Sequence, residues 1–267
     1  MSELDLSTTK MIARKEGAIG WMIFNQPEKR NAVSMEMWAA VPEIIDAFES
    51  DPDVRVIVLA GAGDKAFVAG ADISEFGENR NSPETTAKYD NIGGKAQAAI
   101  AHASKPTIAM IQGFCVGGGV AITLNCDLRI ASDDSKFGVP AAKLGLGYKA
   151  GGLKQLIDLV GPSFAKEIFF TARLFDPEDA LAMGLINRLV PKGELESYVV
   201  DYAEVIGANA PMTIKAAKMT IDELLKEESK QDLDKCDEAI MACFASADFK
   251  EGRTAFMEKR KPNFRGV

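Results

Sequence analysis

The stretch GFCVGGGVAITLNCD, Gly113–Asp127, decides how this chain is organised. A short apolar run at 106–111 precedes it, and the glycines at 117–119 lead into an apolar pattern of helical spacing. Glycines at a strand-to-helix junction let another group approach the backbone closely, and the first amides of the helix have no acceptor within it. The pattern therefore predicts either a tight turn in a packed α/β unit or a place for an oxyanion, a phosphate or a carboxylate.

The segments before this stretch alternate between predicted strands and predicted helices. Two apolar runs around Glu16-Gly17 predict a β-hairpin, and Ser34 is a good N-cap for a helix that Asp51-Pro52 ends. The β-branched segment 54–61 predicts a buried strand. Three further segments complete this half of the chain: a small-residue turn entering a short helix at 65–76, a polar and mobile loop at 77–85, and a helix at 86–103.

After the stretch, the pattern changes from alternating to almost entirely helical. A strand at 128–131 and a Gly-rich loop that starts a helix near Gly151 end the alternating part, which predicts βαβ-like units stacked in a spiral. Helices are then predicted at 162–171, 177–183, 195–208, 211–225, 232–245 and 250–259, with a strand at 186–190. We therefore expect an α/β core over 1–195 and a helical C-terminal segment over 196–267.

The last helices carry more apolar side chains than an isolated helical hairpin can bury. These residues include Ile221, Leu224, Leu225, Ile240, Cys243 and Phe244. We expect them to pack on neighbouring subunits, so the sequence predicts an oligomer.

Composition and charge exclude several classes of protein. No apolar run among the 267 residues reaches the ~20 needed to span a bilayer, and the polar N-terminus fits neither a secretory signal nor a transit peptide. The four cysteines form no CxxC pair, which argues against zinc and a disulfide scaffold. A net charge of −8 disfavours non-specific nucleic-acid binding. We expect a cytoplasmic protein that uses neither a membrane nor a nucleic acid.

Six motifs span nearly the whole chain. They are NQPEKRNAVS at 25–34, KAFVAGADISEF at 65–76, KPTIAMIQGFCVGGGVAITLNCDLRIAS at 105–132, FGVPAAKLGLGYKAGG at 137–152, FFTARLFDPEDALAMGLINRLVP at 169–191 and EGRTAFMEKRKPNF at 251–264. In this order they resemble the enoyl-CoA hydratase/isomerase, or crotonase, superfamily. The resemblance implies the α/β ClpP/crotonase fold, a spiral of ββα units with a helical C-terminal trimerisation region that often doubles to a hexamer. It also implies an acyl-CoA substrate, with coenzyme A entering as part of that substrate and with no other cofactor and no metal.

The resemblance also implies the roles of individual residues. An enolate-like transition state places negative charge on the thioester oxygen, which two preorganised backbone amides stabilise. The matching positions are Ala71 and Gly118. The residues that match the family's coenzyme A contacts are Lys29, Arg30, Ala69, Ala71, Asp72 and Ile73, with Phe256 and Lys259 reaching in from a nearby subunit. The alternative for the three cations is solvated surface charge, and for Asp72 it is a helix cap.

Two positions depart from the family's pattern. Hydratases of this family carry one glutamate after the glycine triple, as GGGxE, and a second in FGxPE, and these serve as base and acid. Here the two positions hold Ala121 and Ala141. Because alanine can neither hold nor move a proton, the usual two-glutamate mechanism is not available to this chain.

Tyr148, in the Gly-rich loop, is the candidate replacement as acid or base. A methylmalonyl-CoA decarboxylase of the family has a tyrosine at the matching place, although it has a histidine where this chain has Ala71. The alternative for Tyr148 is a loop tyrosine packed on its neighbours. Lys149 stands where dienoyl-CoA isomerases of the family have an aspartate, which argues against that reaction.

Other polar or reactive residues have simpler interpretations. We expect His102 to cap the C-terminus of a helix, and Cys115 and Cys126 to be buried core thiols. Glu75 and Glu78 follow the small-residue turn of the segment 65–76, and we expect them to face solvent more readily than the acyl pocket.

The sequence predicts an acyl-CoA enzyme resembling an enoyl-CoA hydratase, in the lyase class. Two alternatives stay open: an acyl-CoA decarboxylase or isomerase that uses Tyr148, and a catalytically weak subunit that binds CoA thioesters.

Overall fold

Two β-sheets form the frame of the computed structural model, which describes residues 2–75, 77 and 81–267. The strands are β1 (Ser2–Glu3), β2 (Met11–Glu16), β3 (Ile19–Phe24), β4 (Val56–Gly61), β5 (Ala66–Val68), β6 (Thr107–Ile111), β7 (Phe114–Val116), β8 (Leu128–Ser132), β9 (Lys136–Gly138) and β10 (Arg188–Val190). The larger sheet has the order β1-β2-β3-β4-β6-β8-β10, and the smaller sheet has the order β5-β7-β9.

The helices lie in the connections between these strands and after them. They are α1 (Met35–Ser50), α2 (Pro83–Ala101), α3 (Gly118–Thr123), α4 (Ala150–Thr171), α5 (Pro177–Ala182), α6 (Leu195–Gly207), α7 (Pro211–Leu224), α8 (Leu233–Ala245) and α9 (Ala247–Glu258). Short 3₁₀ helices are formed by Pro27–Lys29, Ile73–Glu75, Pro140–Leu144, Lys192–Glu194 and Glu228–Lys230.

The predicted hairpin, first helix and buried strand are all confirmed. β2 and β3 pair antiparallel, with Met11 opposite Phe24, and Gly17 makes the turn at a φ of +57°. The Ser34 hydroxyl accepts a hydrogen bond from the Met37 amide, as an N-cap does. Every residue of β4 is buried, because one face packs on α1 and its neighbours and the other lies under α6.

Successive strands alternate between the two sheets and form a spiral of ββα units, as the sequence predicts. β4 and β6 pair in the larger sheet while β5 and β7 pair in the smaller one, and β8 and β9 repeat the pattern. All of these pairings are parallel, so each unit needs a crossover, and α2 and α3 provide two of them. The carboxyl ends of β5 and β7 therefore meet at one edge of the smaller sheet.

Two segments differ from the prediction in detail. The segment 77–85 is not a loop throughout, because α2 begins at Pro83 and Ser82 caps it through a capping box with Thr85. Residues 78–80 of that segment, and residue 76 just before it, lie outside the described residues. The helices predicted near Gly151 and at 162–171 both form, and they follow each other directly within α4, separated by the non-helical residue Gly161, where φ is +75°.

The C-terminal residues fold back on α9. The buried Asp248 carboxylate accepts hydrogen bonds from the amides of Arg265 and Gly266, both at 2.7 Å. Arg260 pairs with both carboxylate oxygens of Glu251. None of the described helices has both the length and the apolar composition that a membrane span requires.

Candidate active site

The turn after β5 and the turn after β7 touch each other through their backbones. A Cβ placed on Gly118 would lie 3.3 Å from the amide nitrogen of Ala71, and one on Gly119 would lie 2.2 Å from the carbonyl oxygen of Val68. Gly117 adopts a φ of +54°, a conformation that L-residues with side chains avoid. The contact between the two turns therefore requires glycine at 119 and strongly favours it at 117, whereas a Cβ at 118 would need only a small adjustment of its neighbours.

Ala71 is held in place by backbone bonds on both sides. The Val33 amide donates to the Gly70 carbonyl at 2.8 Å, and the Asp72 amide donates to the Val33 carbonyl at 3.0 Å. This pairing leaves the amide of Ala71 itself unused. Gly118 is the first residue of α3, so its amide has no acceptor within the helix.

Neither of these two amides has an acceptor among the described residues. The structure thus places two unpaired N–H donors, those of Ala71 and Gly118, on adjacent and rigidly packed turns. Such a pair can bind one oxygen atom that carries negative charge.

Asp72 forms an ion pair beside the first turn. Its side chain is only 6% exposed, and its carboxylate accepts hydrogen bonds from Lys29 Nζ at 2.7 Å and from the Ser74 amide at 3.1 Å. Burial raises the pKa of Asp72, but the hydrogen bonds from Lys29 and Ser74 outweigh burial and lower the pKa to about 2. Asp72 is therefore ionised. It caps the 3₁₀ helix at 73–75, and it forms an ion pair with Lys29, which is itself one of the predicted coenzyme A contacts.

The other predicted coenzyme A contacts near the turn after β5 lie on the same two segments of the chain, 29–33 and 69–73. The Ala69 amide donates to the Arg30 carbonyl at 3.0 Å, and the Arg30 guanidinium lies 4.8 Å from the centre of the Phe114 ring. Ile73 is exposed. The structure thus brings the segments 29–33 and 69–73 side by side, with two cations at their surface.

The predicted C-terminal contacts lie on another element. Phe256 is on α9 and is 82% exposed, and Lys259 ends that helix in a left-handed conformation, with a φ of +55°. α9 has its main helix contact with α8. An apolar groove of about 1020 Å³ between α7, α8 and α9 includes Phe256 in its lining.

Ala121 and Ala141, at the two positions where the sequence comparison expects glutamates, lie in the elements around the two turns. Ala121 is half-buried in α3, and its carbonyl accepts a hydrogen bond from Asn125 Nδ2 at 2.7 Å. Ala141 is 4% exposed, in the 3₁₀ helix that follows β9. Neither position supplies a group that can exchange a proton.

Tyr148 lies in the loop that leads into α4, and its ring packs edge-on against Phe169 with 4.8 Å between ring centres. The side chain is 38% exposed. The next residue, Lys149, forms an ion pair with Asp90 of α2 at 2.7 Å, so this loop is tied to the helix that follows the first turn.

The other polar candidates have structural partners or surroundings. The Glu75 carboxylate accepts a hydrogen bond from the Met35 amide at 2.9 Å and so caps α1, a contact that the sequence interpretation missed. Glu78 lies outside the described residues. His102 is exposed at the C-cap of α2, as predicted.

Burial raises the pKa of the Cys126 thiol to about 12 and also raises the pKa of Cys115, so both are neutral core thiols.

Within the part of the chain that the structure describes, no three His, Cys, Asp or Glu side chains come together in a group that could hold a metal ion.

Comparison with known proteins gives the family. The model of the family described as enoyl-CoA hydratase/isomerase matches residues 14–267. This chain belongs to the enoyl-CoA hydratase/isomerase family. A short-chain-enoyl-CoA hydratase of Clostridium acetobutylicum is 37% identical over 256 residues, which cover 96% of this chain and 97% of that protein. A crotonyl-CoA hydratase of Syntrophomonas wolfei is 35% identical over 254 residues, covering 95% and 97% of the two chains.

The fold of the enoyl-CoA hydratase/isomerase family is found in solved structures that resemble this one. A crystal structure of an enoyl-CoA hydratase/carnithine racemase from Magnetospirillum magneticum superposes with a TM-score of 0.92 at 34% identity. The match covers 98% of this chain and 97% of that chain.

Two backbone partners of the site were missed by the sequence interpretation. Val33 holds the turn at Ala71, and the Gly138 carbonyl accepts a hydrogen bond from the Gly117 amide at 2.8 Å. Both interactions are between segments distant in sequence, and a backbone bond leaves no signature in the residue type. The parallel pairing of β7 and β9 brings Gly117 and Gly138 together, and an isolated parallel bridge brings Val33 to Ala71.

Proposed function

We propose that this chain is an enoyl-CoA hydratase-like lyase that acts on an acyl-CoA thioester and stabilises an enolate. The observation that carries the proposal is that the amides of Ala71 and Gly118, both unpaired among the described residues, lie on two turns that pack directly on each other. The names of the relatives support the substrate class.

The proposed role of the two amides is to bind the thioester oxygen as it gains negative charge. Because the amides are fixed by neighbouring backbone bonds, they need no reorganisation when the charge develops. Each donor contributes about 3 kcal/mol to lowering the barrier, by comparison with other oxyanion holes. This step requires neither a metal nor a redox cofactor, since coenzyme A arrives as part of the substrate.

The coenzyme A part of the substrate is proposed to lie along the segments 29–33 and 69–73. Lys29 and Arg30 would face its phosphates, and the backbone of Ala69, Asp72 and Ile73 would contact the adenine. The pairing of Lys29 with Asp72 supports this assignment, because it fixes the surface that the nucleotide would meet. The cytoplasmic location expected from the sequence stays a prediction.

A second candidate reaction is favoured by Ala121 and Ala141, which remove the two usual proton carriers. In a decarboxylation, the C–C bond to the carboxylate breaks, CO₂ leaves, and the bonding electron pair becomes the enolate that the two amides bind. Only one proton is then needed, at carbon, and the Tyr148 phenol is the candidate donor. An isomerase using the same phenol, and a subunit that binds CoA thioesters with little catalysis, also agree with the alanines.

Three CoA thioesters distinguish the candidate reactions and test the step that they share. Loss of the enoyl absorbance of crotonyl-CoA supports hydration, and release of CO₂ from a malonyl-type CoA supports decarboxylation. Acetoacetyl-CoA tests the shared step, because its enolate absorbs in the ultraviolet and a working oxyanion hole raises the enolate fraction of the bound ligand. Binding of acetoacetyl-CoA with no gain in enolate over free solution would overturn the proposal.

Gly118→Pro is the variant that tests the amide directly. Proline has no N–H, so we expect the enolate fraction and any turnover to fall by about 10²-fold. Gly118→Ala is the matched control, because it adds a Cβ at the same place and keeps the N–H. Retained full activity in Gly118→Pro would refute the role of this amide.

We also propose that residues 196–267 form an oligomerisation segment on a core of residues 1–195, giving a homotrimer or a dimer of trimers. Several apolar side chains of α7, α8 and α9 are exposed in the single chain, and a neighbouring subunit would cover them. They include Ile221, Leu224, Met241, Phe244, Phe256 and Met257. In this arrangement Phe256 and Lys259 would reach the coenzyme A site of a neighbour. Light scattering after size-exclusion chromatography tests the state, and a monomer would overturn it.

A further inference from the structure

A buried arginine lies behind α3, at the end opposite Gly118. Arg129, on β8, is only 4% exposed. Its Nη1 donates to the carbonyls of Cys126 at 2.7 Å and Thr123 at 3.2 Å, and its Nε donates to the Leu185 carbonyl at 2.9 Å. Nη2 donates to Asn187 Oδ1 at 3.4 Å. One guanidinium thus joins the C-terminal end of α3 to the segment that precedes β10.

Arg129 is held by neutral acceptors. No carboxylate lies within ion-pair distance of its guanidinium among the described residues. Burial lowers the pKa of Arg129, yet an arginine stays charged in a protein. A buried cation is costly. The negative charge of Asp127 acts on Arg129 from beyond contact distance and favours its charged form, and the carbonyl acceptors offset the rest of the cost only when they match the planar fork of the guanidinium.

α3 is fixed at both ends. At its start, Gly119 packs on the Val68 carbonyl with no space for a Cβ. At its other end, Thr123 and Cys126 are bonded to Arg129. α3 spans six residues, or about 9 Å, so a displacement of its C-terminal end moves the amide of Gly118 with it.

We infer that Arg129 is a positioning residue for the Gly118 amide. The inference rests on the proposed function of that amide as an oxyanion donor. Arg129 touches no substrate atom in this role: it holds the carbonyls of α3 so that the Gly118 and Ala71 donors stay aimed at one oxygen. Displacing a group by about 1 Å in such a site costs up to about 10²-fold in rate.

The experiment compares Arg129→Met and Arg129→Lys with Arg188→Met as a matched control. Arg188 is an exposed arginine of β10 that donates to the Asn187 carbonyl at 2.7 Å and does not contact α3 through any hydrogen bond of the described residues. The probe is acetoacetyl-CoA. Its enolate absorbance is followed against pH, and the Kd of acetyl-CoA is measured for the same proteins.

In Arg129→Met we expect the enolate-to-ketone ratio of bound acetoacetyl-CoA to fall about tenfold, with the Kd of acetyl-CoA within about twofold of wild type. Arg129→Lys keeps the positive charge but loses the planar fork of the guanidinium, so we expect the enolate-to-ketone ratio in this variant to fall nearly as far. A residue that serves only folding would lower the melting temperature and leave the enolate ratio of the folded protein unchanged.

The inference is overturned if the enolate ratio is unchanged in the folded Arg129 variants. If Arg129→Met does not fold, Arg129→Lys gives the same comparison, because it too loses the bonds of the guanidinium to the Thr123 and Cys126 carbonyls. If the wild type itself shows no preference for the enolate, the proposed function fails. If the wild type prefers the enolate and the Arg129 variants prefer it equally, only the inference about Arg129 fails.

Discussion

Gly119 packs so closely on Val68 that a Cβ on the glycine would lie 2.2 Å from the Val68 carbonyl oxygen. No real Cβ approaches an oxygen to that distance, so any side chain at 119 forces the two turns apart. The distance between the amides of Ala71 and Gly118 therefore depends on the absence of one carbon atom.

Gly119→Ala is expected to lower the free energy of unfolding by about 2–3 kcal/mol, because the added methyl group overpacks the contact between the two turns. Urea unfolding followed by circular dichroism measures this loss. Gly94→Ala is the control, since Gly94 is exposed within α2 with nothing within 4 Å of the added Cβ, and it should gain about 0.5–1 kcal/mol. Equal stabilities of the two variants would contradict the contact argument.

Restoring the missing carboxylates should create or increase hydratase activity. In the double variant Ala121→Glu and Ala141→Glu, both family positions regain a proton carrier on a chain whose amides are in place. We expect crotonyl-CoA hydration to rise by about 10²-fold or more over wild type, measured by loss of the enoyl absorbance.

The single variants Ala121→Glu and Ala141→Glu serve as controls for the restored pair. They should each give less than the double variant, since addition of water needs both a base and an acid. A folded double variant with no gain would contradict the alignment of these two alanines with the family's glutamates.

Tyr148→Phe separates proton transfer from packing. The variant keeps the ring that contacts Phe169 and removes only the hydroxyl. If the phenol donates the proton, kcat falls by about 10²-fold with little change in KM. Phe169→Leu is the complementary variant, because it loses the ring contact and keeps the hydroxyl, and unchanged turnover in Tyr148→Phe would end the catalytic assignment.

The carboxyl of Asp72 predicts a pH dependence of stability. Its pKa is about 2 in the folded chain and near 3.9 in an unfolded one, so the contribution is present above pH 4 and is lost as the pH falls through 2. After allowance for the half-exposed Lys29, it amounts to about 1–2 kcal/mol. The difference in unfolding free energy between wild type and Asp72→Asn should therefore shrink between pH 5 and pH 2.5. A difference that stays constant would show that the ion pair is not responsible.

The sequence predicts much of this fold because its long elements have strong local signals. Ser34, the run of apolar residues after it and the β-branched strand at 54–61 each specify their own structure. The sequence does not predict the strands β5, β7 and β9, since three residues carry no readable periodicity and their pairings join segments about 50 residues apart (β5 with β7) and about 20 residues apart (β7 with β9). In the site too, features with a local sequence signal are predictable, whereas pairings between separate segments are not.

The residues Ala71 and Gly118 could be named from the motif, but the contacts that hold them could not. Val33 and Gly138 bond the two turns from distant parts of the chain, and the bonds of Arg129 to the end of α3 form only once the chain has turned from α3 into β8. Glu75 shows the opposite error, because an acidic residue beside the turn looks solvent-facing in sequence, whereas its carboxylate caps α1.

The ion pair between Lys29 and Asp72 also determines how a polyanionic ligand approaches. Because the carboxylate already neutralises that ammonium group, Arg30 supplies the local positive charge of this surface, whereas the whole chain carries a net charge of −8 that repels the phosphates of coenzyme A at long range. Encounter then takes place against mutual repulsion, which added salt screens. The association rate of a CoA thioester should consequently rise with ionic strength, in contrast to enzymes whose charge guides an anionic substrate inward.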